Sequence, residues 1–370
     1  MALQSGGPDH SKTLDWLQLA RTPRIGPVTF FQLLARFGSA KAALAALPGL
    51  SSGLKKHTIP GRFEIEKEFE TTRAMGGAIL RADDADYPNL LGHLAPPPAV
   101  LSTLGTPALA SRTCVAIVGA REASAAGRKL ARDIARDLSE AGIVIVSGLA
   151  RGIDGEAHAA ALEGGTVAVL AGGIDHIYPP QHERLYQLIA ENGLLISESA
   201  VGYRATARDF PRRNRIVTGI SGAVLLVEAA ERSGSLISAR TALEQNRDVM
   251  AVPGSPLDPR YAGTNRLLRD GAILVRNAED VLEVLNSPSH RELNAPPPPD
   301  YFEEHDDHTD IPPAQISRVE TVLSQTPVSI EEIALTAQVG EHRCAAILVE
   351  LELSGRATTY PGGLASLSTS

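Results

Sequence analysis

The sequence predicts an α/β protein, with a parallel sheet domain between a small all-helical domain and a C-terminal winged helix. Between residues 113 and 286, short apolar runs alternate with longer amphipathic segments, which is typical of parallel strands joined by crossover helices. From Lys12 to about Gly61 the pattern is helical, interrupted by Pro and Gly. We therefore expect a helical domain over 1–80, a sheet domain over 81–286, a linker over 287–312 and a winged helix over 313–370.

Composition narrows the class of protein. With 370 residues, 43% of them hydrophobic, the chain can bury a large core, and its formal charge of −8 argues against non-specific coating of nucleic acid. No apolar run approaches the roughly 18 residues of a membrane helix, and the N-terminus lacks a secretory pattern, so we expect a cytoplasmic protein without membrane contact. Cys114 and Cys344 lie far apart without metal-ligand spacing, which predicts two reduced thiols and no metal site.

Three helical segments, TLDWLQLARTP, VTFFQLLARFG and SAKAALAALPGL, open the chain and predict a small bundle. The Gly-Pro turn before the second segment is typical of a helix-hairpin-helix, whose backbone N–H groups can bind phosphate. The favoured alternative is a tight helix-helix turn with apolar side chains in the core, because the segment lacks a strong basic flank. Those core residues are Phe30, Phe31, Leu33 and Leu34. Beyond a further helical segment, FEIEKEFETTRAMGG, a short apolar strand and a Pro-rich stretch are interpreted as a connector.

Seven apolar runs predict the strands of an extended Rossmann-like sheet: CVAIVG, IVIVSG, TVAVLAG, GLLISE, GAVLLVEA, DVMAVPG and AILV. In such sheets, ligands bind at the carboxyl ends of the strands. The segments that follow the first six runs are rich in Gly, Ser or Arg. We therefore expect a binding site along this edge of the sheet.

An arginine-rich run, RATARDFPRRNR at residues 204–215, follows the fourth predicted strand. Guanidinium groups fit phosphate oxygens, and the ring of Phe210 offers a face on which a base can stack, so the run predicts binding of single-stranded nucleic acid. A solvated loop with scattered ion pairs is the alternative, and the position at a strand end argues against it. The candidate residues of this run are Phe210, Arg212, Arg213, Asn214 and Arg215.

A phosphate seat is predicted in SGLARGIDGEAH, where Ser147, Gly148 and Gly152 allow a tight turn into a helix and Arg151 adds a cation. Asp154 and His158 stand four residues apart on that helix, a spacing that fits a metal or acid-base pair. A helix cap and a supporting hydrogen bond are favoured instead, because no third ligand or nucleophile lies nearby in sequence.

A second seat is predicted in ERSGSLISARTA, where Ser233, Gly234 and Ser235 begin a helix behind Arg232. Such a loop can also bind a nucleoside phosphate, with Glu228 acting on a glycosidic bond, but no partnered second group is evident. The first βα turn does not match GxGxxG, and the chain contains no GxxxxGK[ST] motif. We therefore expect neither NAD nor a P-loop nucleotide, and no cofactor.

The residues after 286 form a Pro-rich, acidic stretch that predicts a linker, and then three helical segments and a strand-turn-strand that predict a winged helix. Its third helix carries Glu341, His342, Arg343, Glu350 and Glu352, whereas a DNA-reading helix usually carries several Lys, Arg, Asn or Gln side chains. We therefore expect it to bind protein or to play an auxiliary role.

The motifs together resemble the DNA processing protein A (DprA) family, also called Smf-like. The resemblance covers about residues 80–285 and rests on VAIVGAR, VSGLARGIDGEAHAAAL, FPRRNRIVTGIS, VLLVEAAERSGSLISARTALEQNRDVMAVPG and GTNRLLRDGA. It implies a homodimer that binds single-stranded DNA on its Rossmann-like domain and helps load the recombinase RecA during DNA uptake, natural transformation and recombination. It also implies that Arg151, Phe210, the arginines of FPRRNR and the SGSL turn contact DNA.

The alternative function is that of a phosphoribohydrolase acting on nucleoside monophosphates, related to lysine-decarboxylase-like proteins. Those enzymes typically carry a PGGxGTxxE signature, whereas this chain has PGSPLDP at the comparable strand end. A binding protein with no catalytic residues is therefore the favoured interpretation.

Overall fold

The computed structural model describes residues 8–50, 58–287, 312–353, 355–360 and 363–368. The predicted linker falls almost wholly on residues outside this description. The chain divides into two compact units, one with the N-terminal helices and the winged helix, the other with the sheet. In the described part of the chain, no helix is long and apolar enough to cross a bilayer.

The first unit begins with three helices, α1 (Pro8–Arg21), α2 (Pro27–Phe37) and α3 (Ala40–Leu50). Helix α2 starts with a proline at its first position and ends at Gly38, which adopts φ 72°. The rings of Trp16 and Phe30 lie 5.1 Å apart between centroids and fill the space between α1 and α2. Of the four residues expected in the core, Phe30 and Leu33 are buried, whereas Phe31 and Leu34 are half-buried.

The second unit is a nine-stranded sheet with the order β1-β2-β6-β5-β4-β3-β7-β8-β9. The strands are β1 (Gly77–Arg81), β2 (Val100–Gly105), β3 (Cys114–Val118), β4 (Val144–Ser147), β5 (Thr166–Gly173), β6 (Leu194–Ser199), β7 (Ala223–Leu226), β8 (Asp248–Ala251) and β9 (Ile273–Leu274). Strands β3 to β9 are the seven predicted runs, and all pair in parallel. The α/β fold class is thus confirmed.

Two strands extend the sheet where the sequence indicated a connector. Strand β1 pairs antiparallel with β2, and β2 pairs antiparallel with β6. Strand β1 agrees with the short apolar strand expected there. Strand β2 was not predicted, because the prolines before residue 100 indicate irregular backbone, although Val100 and Leu101 are fully buried. The sheet consequently begins before residue 81.

Helices cover both faces of the sheet. Helix α4 (Arg62–Ala74) precedes β1 and spans the division between the two units. The covering helices are α5 (Asn89–Gly92), α6 (Ala125–Glu140), α7 (Ile153–Ala160), α8 (Glu183–Asn192), α9 (Asp209–Ile220), α10 (Ser235–Glu244), α11 (Ala262–Arg269) and α12 (Ala278–Leu285). One apolar cluster joins the strands to α6, α7 and α12, and another joins them to α5, α9 and α10. With both faces covered, the loops at the strand ends are the exposed part of the layer.

The C-terminal residues form the predicted winged helix. Its elements are α13 (Pro313–Val322), β10 (Val328–Ser329), α14 (Ile330–Ala337), α15 (Glu341–Leu353), β11 (Ala357–Tyr360) and β12 (Leu364–Leu367). Strand β12 lies between β10 and β11 in the small sheet. The hydroxyl of Ser329 accepts the backbone N–H of Glu332 and so caps α14.

Candidate nucleic-acid interface

The turn between β4 and α7 is held by buried polar groups. Ser147 is fully buried, and its hydroxyl donates to the carbonyl of Ile117 at 2.6 Å. Gly152 precedes α7 with φ 77°, and a Cβ there would lie 2.2 Å from the carbonyl of Ala120. Arg151 is exposed at the tip of this turn. Ser147 therefore shapes the seat from beneath, whereas Arg151 faces solvent.

Asp154 caps this turn from the first turn of α7. Its carboxylate accepts the backbone N–H groups of Gly148 at 3.1 Å and Ala150 at 3.3 Å. Two of the N–H groups that the sequence suggested for phosphate are thus already bound. The cap interpretation of Asp154 is confirmed, and the described residues contain no cluster that could hold a metal ion.

Arg213 lies beneath the same turn rather than at the surface. Only 7% of the residue is exposed, and its guanidinium donates to the carbonyl of Gly148 at 2.8 Å and to that of Val169. Burial lowers the pKa of Arg213 to about 10, and the attraction of Asp154 opposes this change. Burial likewise raises the pKa of Asp154, against the attraction of Arg213. The pair links α9 to the β4 turn.

His158 makes the supporting hydrogen bond that the sequence predicted for α7. The Thr166 hydroxyl donates to the carbonyl of Ile145, so it accepts the Nδ1–H of His158 at 2.7 Å. Burial lowers the pKa of His158 to about 3, with smaller contributions from His182 and Arg213. His158 is therefore neutral in the folded protein at ordinary pH.

The stability of the sheet domain should fall in mild acid because of His158. Its folded pKa of about 3 lies below the unfolded value, so the unfolded chain takes up the proton first as the pH falls from 6.5 towards 3. At pH 5 the expected loss is about 2 kcal/mol, from 1.36 kcal/mol per pH unit. Urea unfolding at pH 7.5 and pH 5 measures it. In His158→Gln, the free energy of unfolding should differ less between pH 7.5 and pH 5 than it does in the wild type. If the two proteins lose the same stability between these pH values, the assignment to His158 is wrong.

The remaining arginines of the run are at the surface or pair with one acid. Arg204 and Arg208 are exposed. Arg215 contacts Glu198 of β6 at 2.5 Å and is 22% exposed, whereas Arg212 approaches the same carboxylate at 3.6 Å and is 59% exposed. Glu198 thus competes with any phosphate for Arg212 and holds Arg215 in place.

Phe210 forms a cluster with two residues that the sequence analysis did not select. The ring of Tyr178 lies 5.5 Å from that of Phe210, and the Arg121 guanidinium lies 5.3 Å from the Phe210 centroid. Tyr178 is 47% exposed and Arg121 is exposed. Phe210 and Tyr178 also line a cavity of about 10 Å³ with Gly148 and Arg213, too small for a base. The cluster therefore offers an outer surface for stacking.

The signal for Arg121 and Tyr178 was present in the sequence. Arg121 lies in the first βα turn, between β3 and α6, and Tyr178 follows the third strand of the parallel series. Both belong to residue types that bind phosphate or stack on bases. The first βα turn was compared only with the GxGxxG pattern, which depends on glycines, so Arg121 was not predicted.

The second predicted seat lies after β7, two strands away from β4 in the sheet. The hydroxyl of Ser233 lies 2.7 Å from that of Ser235 and accepts the Ser235 N–H at 3.3 Å. Arg232 and Gly234 are exposed, and the two serines are half-buried. At about 4.8 Å per strand, the two seats are roughly 10 Å apart along one edge.

Glu228 fills the anion position of the first βα unit. It is fully buried, and its carboxylate accepts the backbone N–H of Ser124 at 2.8 Å and the Ser124 hydroxyl. Ser124 is the N-cap of α6, where dinucleotide-binding folds place a pyrophosphate. Glu228 is therefore engaged in capping α6 and is not exposed to solvent.

Three stretches of the chain match known domains. Residues 78–286 match the family described as DNA recombination-mediator protein A, residues 10–71 the DprA-like N-terminal HHH domain, and residues 296–363 the DprA winged helix domain. The protein Smf of Escherichia coli is 39% identical over 292 residues, which cover 78% of this chain and 77% of that protein. The DNA processing protein DprA of Bacillus subtilis is 41% identical over 216 residues, which cover 58% and 73%.

Two solved structures share the fold. DNA processing protein A from Streptococcus pneumoniae superimposes with a TM-score of 0.62 and 29% identity, over 76% of this chain and 98% of that one. DNA processing protein A from Helicobacter pylori, solved for its single-stranded DNA binding mode, gives 0.52 and 31% identity over 56% and 95%.

Proposed function

Since the chain belongs to the DNA recombination-mediator protein A family, we propose that it binds single-stranded DNA along the carboxyl edge of its sheet, without catalysing a reaction. The observation that carries the proposal is the cluster of Arg121 and Tyr178 on the ring of Phe210, with the exposed Arg151 on the turn after β4. Cations bind phosphates, and the aromatic faces bind bases regardless of sequence.

The residues divide into those that touch the strand and those that position the site. Arg151, Arg212 and Arg232 are exposed enough to bind phosphates directly. Ser147 and Arg213 are buried and act through the turn at residue 148. Asn214 accepts the Nε–H of Arg213 at 3.4 Å, and Arg215 pairs with Glu198 of β6. These two residues therefore help to hold α9 in its position on the sheet.

In this proposal, the bound strand is handed to the recombinase RecA in the cytoplasm, during DNA uptake, natural transformation and recombination. The description of the matching family as a recombination mediator supports this step. So does the Helicobacter pylori relative, whose structure concerns a single-stranded DNA binding mode.

The proposal includes a homodimer through the far edge of the sheet domain. Strand β9 is an edge strand whose Ile273 and Leu274 are 38% and 47% exposed. An open strand edge with apolar side chains is a surface that pairs readily with a second chain. Leu267 and Leu268 of α11 are half-buried nearby in sequence, whereas Leu285 is buried within its own chain and is not available for the contact.

Binding should weaken with salt in proportion to the phosphates neutralised. Filter binding with single and double strands should favour the single strand, with a log-log slope of about −0.7 per phosphate contact. Arg151→Ala should lower the affinity and make the slope shallower by about 0.7. The matched control is Arg136→Ala, because Arg136 is exposed in the second half of α6, away from the carboxyl edge. Equal slopes for both variants would contradict the proposed site.

Replacing Phe210 by leucine should weaken single-strand binding with little change in thermal stability. A stacked base contributes roughly 1 to 3 kcal/mol, nearly independent of base identity. Leucine keeps the volume that fills the half-buried position, but it removes the ring under Arg121 and beside Tyr178. Titrations with several homopolymers and a thermal melt separate the two effects. A large drop in melting temperature with unchanged affinity would make Phe210 a core residue.

A further inference from the structure

Helix α15 of the winged helix buries side chains on two sides. The residues that face the winged-helix core recur at helical spacing and are Cys344, Ile347, Leu348 and Leu351. Val349 is only 1% exposed, yet it lies outside that core cluster. At 100° per residue, Val349 points to the opposite side of the helix, between Glu350 and Glu352. A second surface must therefore cover Val349.

Helix α2 of the N-terminal domain packs on α15 within the same compact unit, which makes it the candidate for this second surface. The Arg36 guanidinium donates to Glu350 at 2.9 Å, and both side chains are 23% exposed. The hydroxyl of Thr29 donates to Glu352 at 3.1 Å. The two acids that flank Val349 thus both contact α2, and Glu352 also accepts the backbone N–H and the hydroxyl of Thr359 on β11.

Helix α2 is covered on two sides as well. Among its eleven residues, only Ala35 is exposed, although a helix on the outside of a small bundle normally presents a whole polar face to water. Phe30 and Leu33 pack inwards, and Arg36 and Thr29 meet α15. Helix α2 therefore supplies hydrogen-bond donors, and α15 supplies the carboxylates that accept from them.

We propose that the outward face of α15 is a docking surface for α2, so that the helical domain and the winged helix of one chain act as a single module. The helix that reads DNA in other winged helices is then engaged in a protein contact. The carboxylates of α15 would repel phosphate, and in this contact they accept hydrogen bonds from Arg36 and Thr29. The contact uses an apolar centre flanked by polar pairs, as protein interfaces do.

Thiol labelling of the full chain tests the docking. In a Val349→Cys variant, position 349 should react slowly, and adding Arg36→Glu should accelerate the reaction at least tenfold. Cys344 lies in the winged-helix core and must stay protected in both variants, so it reports any unfolding of that domain. Adding Glu350→Arg to Arg36→Glu should restore slow labelling, whereas Lys41→Glu on α3 serves as the charge control. Fast labelling at 349 without the charge reversal, or joint exposure of Cys344, would overturn the proposal.

A zero-length cross-link tests whether the contact forms within one chain. Arg36→Lys keeps the cation and supplies an amine, which a carbodiimide joins to a carboxylate in direct contact. The expected product is an amide between position 36 and Glu350 that migrates as a single chain. It should vanish when Glu350→Gln is added. A product with the mass of two chains, or no product at this pair, would refute the intramolecular contact.

Discussion

Replacing Arg213 by alanine is expected to lower the free energy of unfolding of the sheet domain by roughly 3 to 5 kcal/mol. The change removes the donor to the carbonyls of Gly148 and Val169 and leaves Asp154 buried without its nearby cation. Single-strand affinity should fall at the same time, because the turn that presents Arg151 loses its support. Urea unfolding followed by filter binding measures both effects.

The matched control is the neighbouring Arg212→Ala. Its side chain is 59% exposed and makes one long contact with Glu198, so stability should change by less than about 0.5 kcal/mol while affinity falls. Adding Asp154→Asn to Arg213→Ala should recover part of the lost stability, because it removes the uncompensated charge. If Arg213→Ala and Arg212→Ala unfold at the same denaturant concentration, the buried role of Arg213 is wrong.

A Leu274→Glu substitution is expected to convert a dimer into folded monomers and to weaken binding of long single strands about 100-fold. In a two-fold interface the substitution occurs twice, which places two carboxylates against each other at the edge of β9. Because Leu274 is already 47% exposed, the monomer should remain folded. Short oligonucleotides, which occupy one subunit, should bind almost normally. Light scattering and titrations with a short and a long strand measure the three quantities.

The control for this experiment is Leu243→Glu. Leu243 is 60% exposed near the C-terminal end of α10, outside β9 and away from the carboxyl edge of the sheet, so this variant adds the same charge elsewhere. It should leave the mass and both affinities nearly unchanged. A wild-type monomer, or a monomeric Leu274→Glu protein with unchanged affinity for the long strand, would rule out the dimer mechanism.

The sequence was sufficient for the parallel sheet and for the edge at which the site lies. Strands buried on both faces must be apolar throughout, so β3 to β8 can be predicted from the sequence without any knowledge of contacts. The same holds for Asp154, whose place in the first turn of α7 fits a cap of the preceding loop. Strand β2 was missed because proline before it signals irregular backbone, while its pairing with β6 is set by residues far away in the chain.

Only the tertiary structure distinguished residues that look equivalent in sequence. Arg212 and Arg213 are adjacent and chemically identical, but a helix turns by about 100° per residue, so α9 points one to solvent and the other beneath the β4 turn. Similarly, Val349 resembles the other apolar residues of α15 in sequence, and only the structure shows that it is buried outside the winged-helix core on a helix that contacts α2. Residue types and local periodicity can be determined from the sequence alone. Which face of a helix meets which neighbour depends on packing between segments that lie far apart in the chain, and that packing decided the roles of Arg213 and Val349.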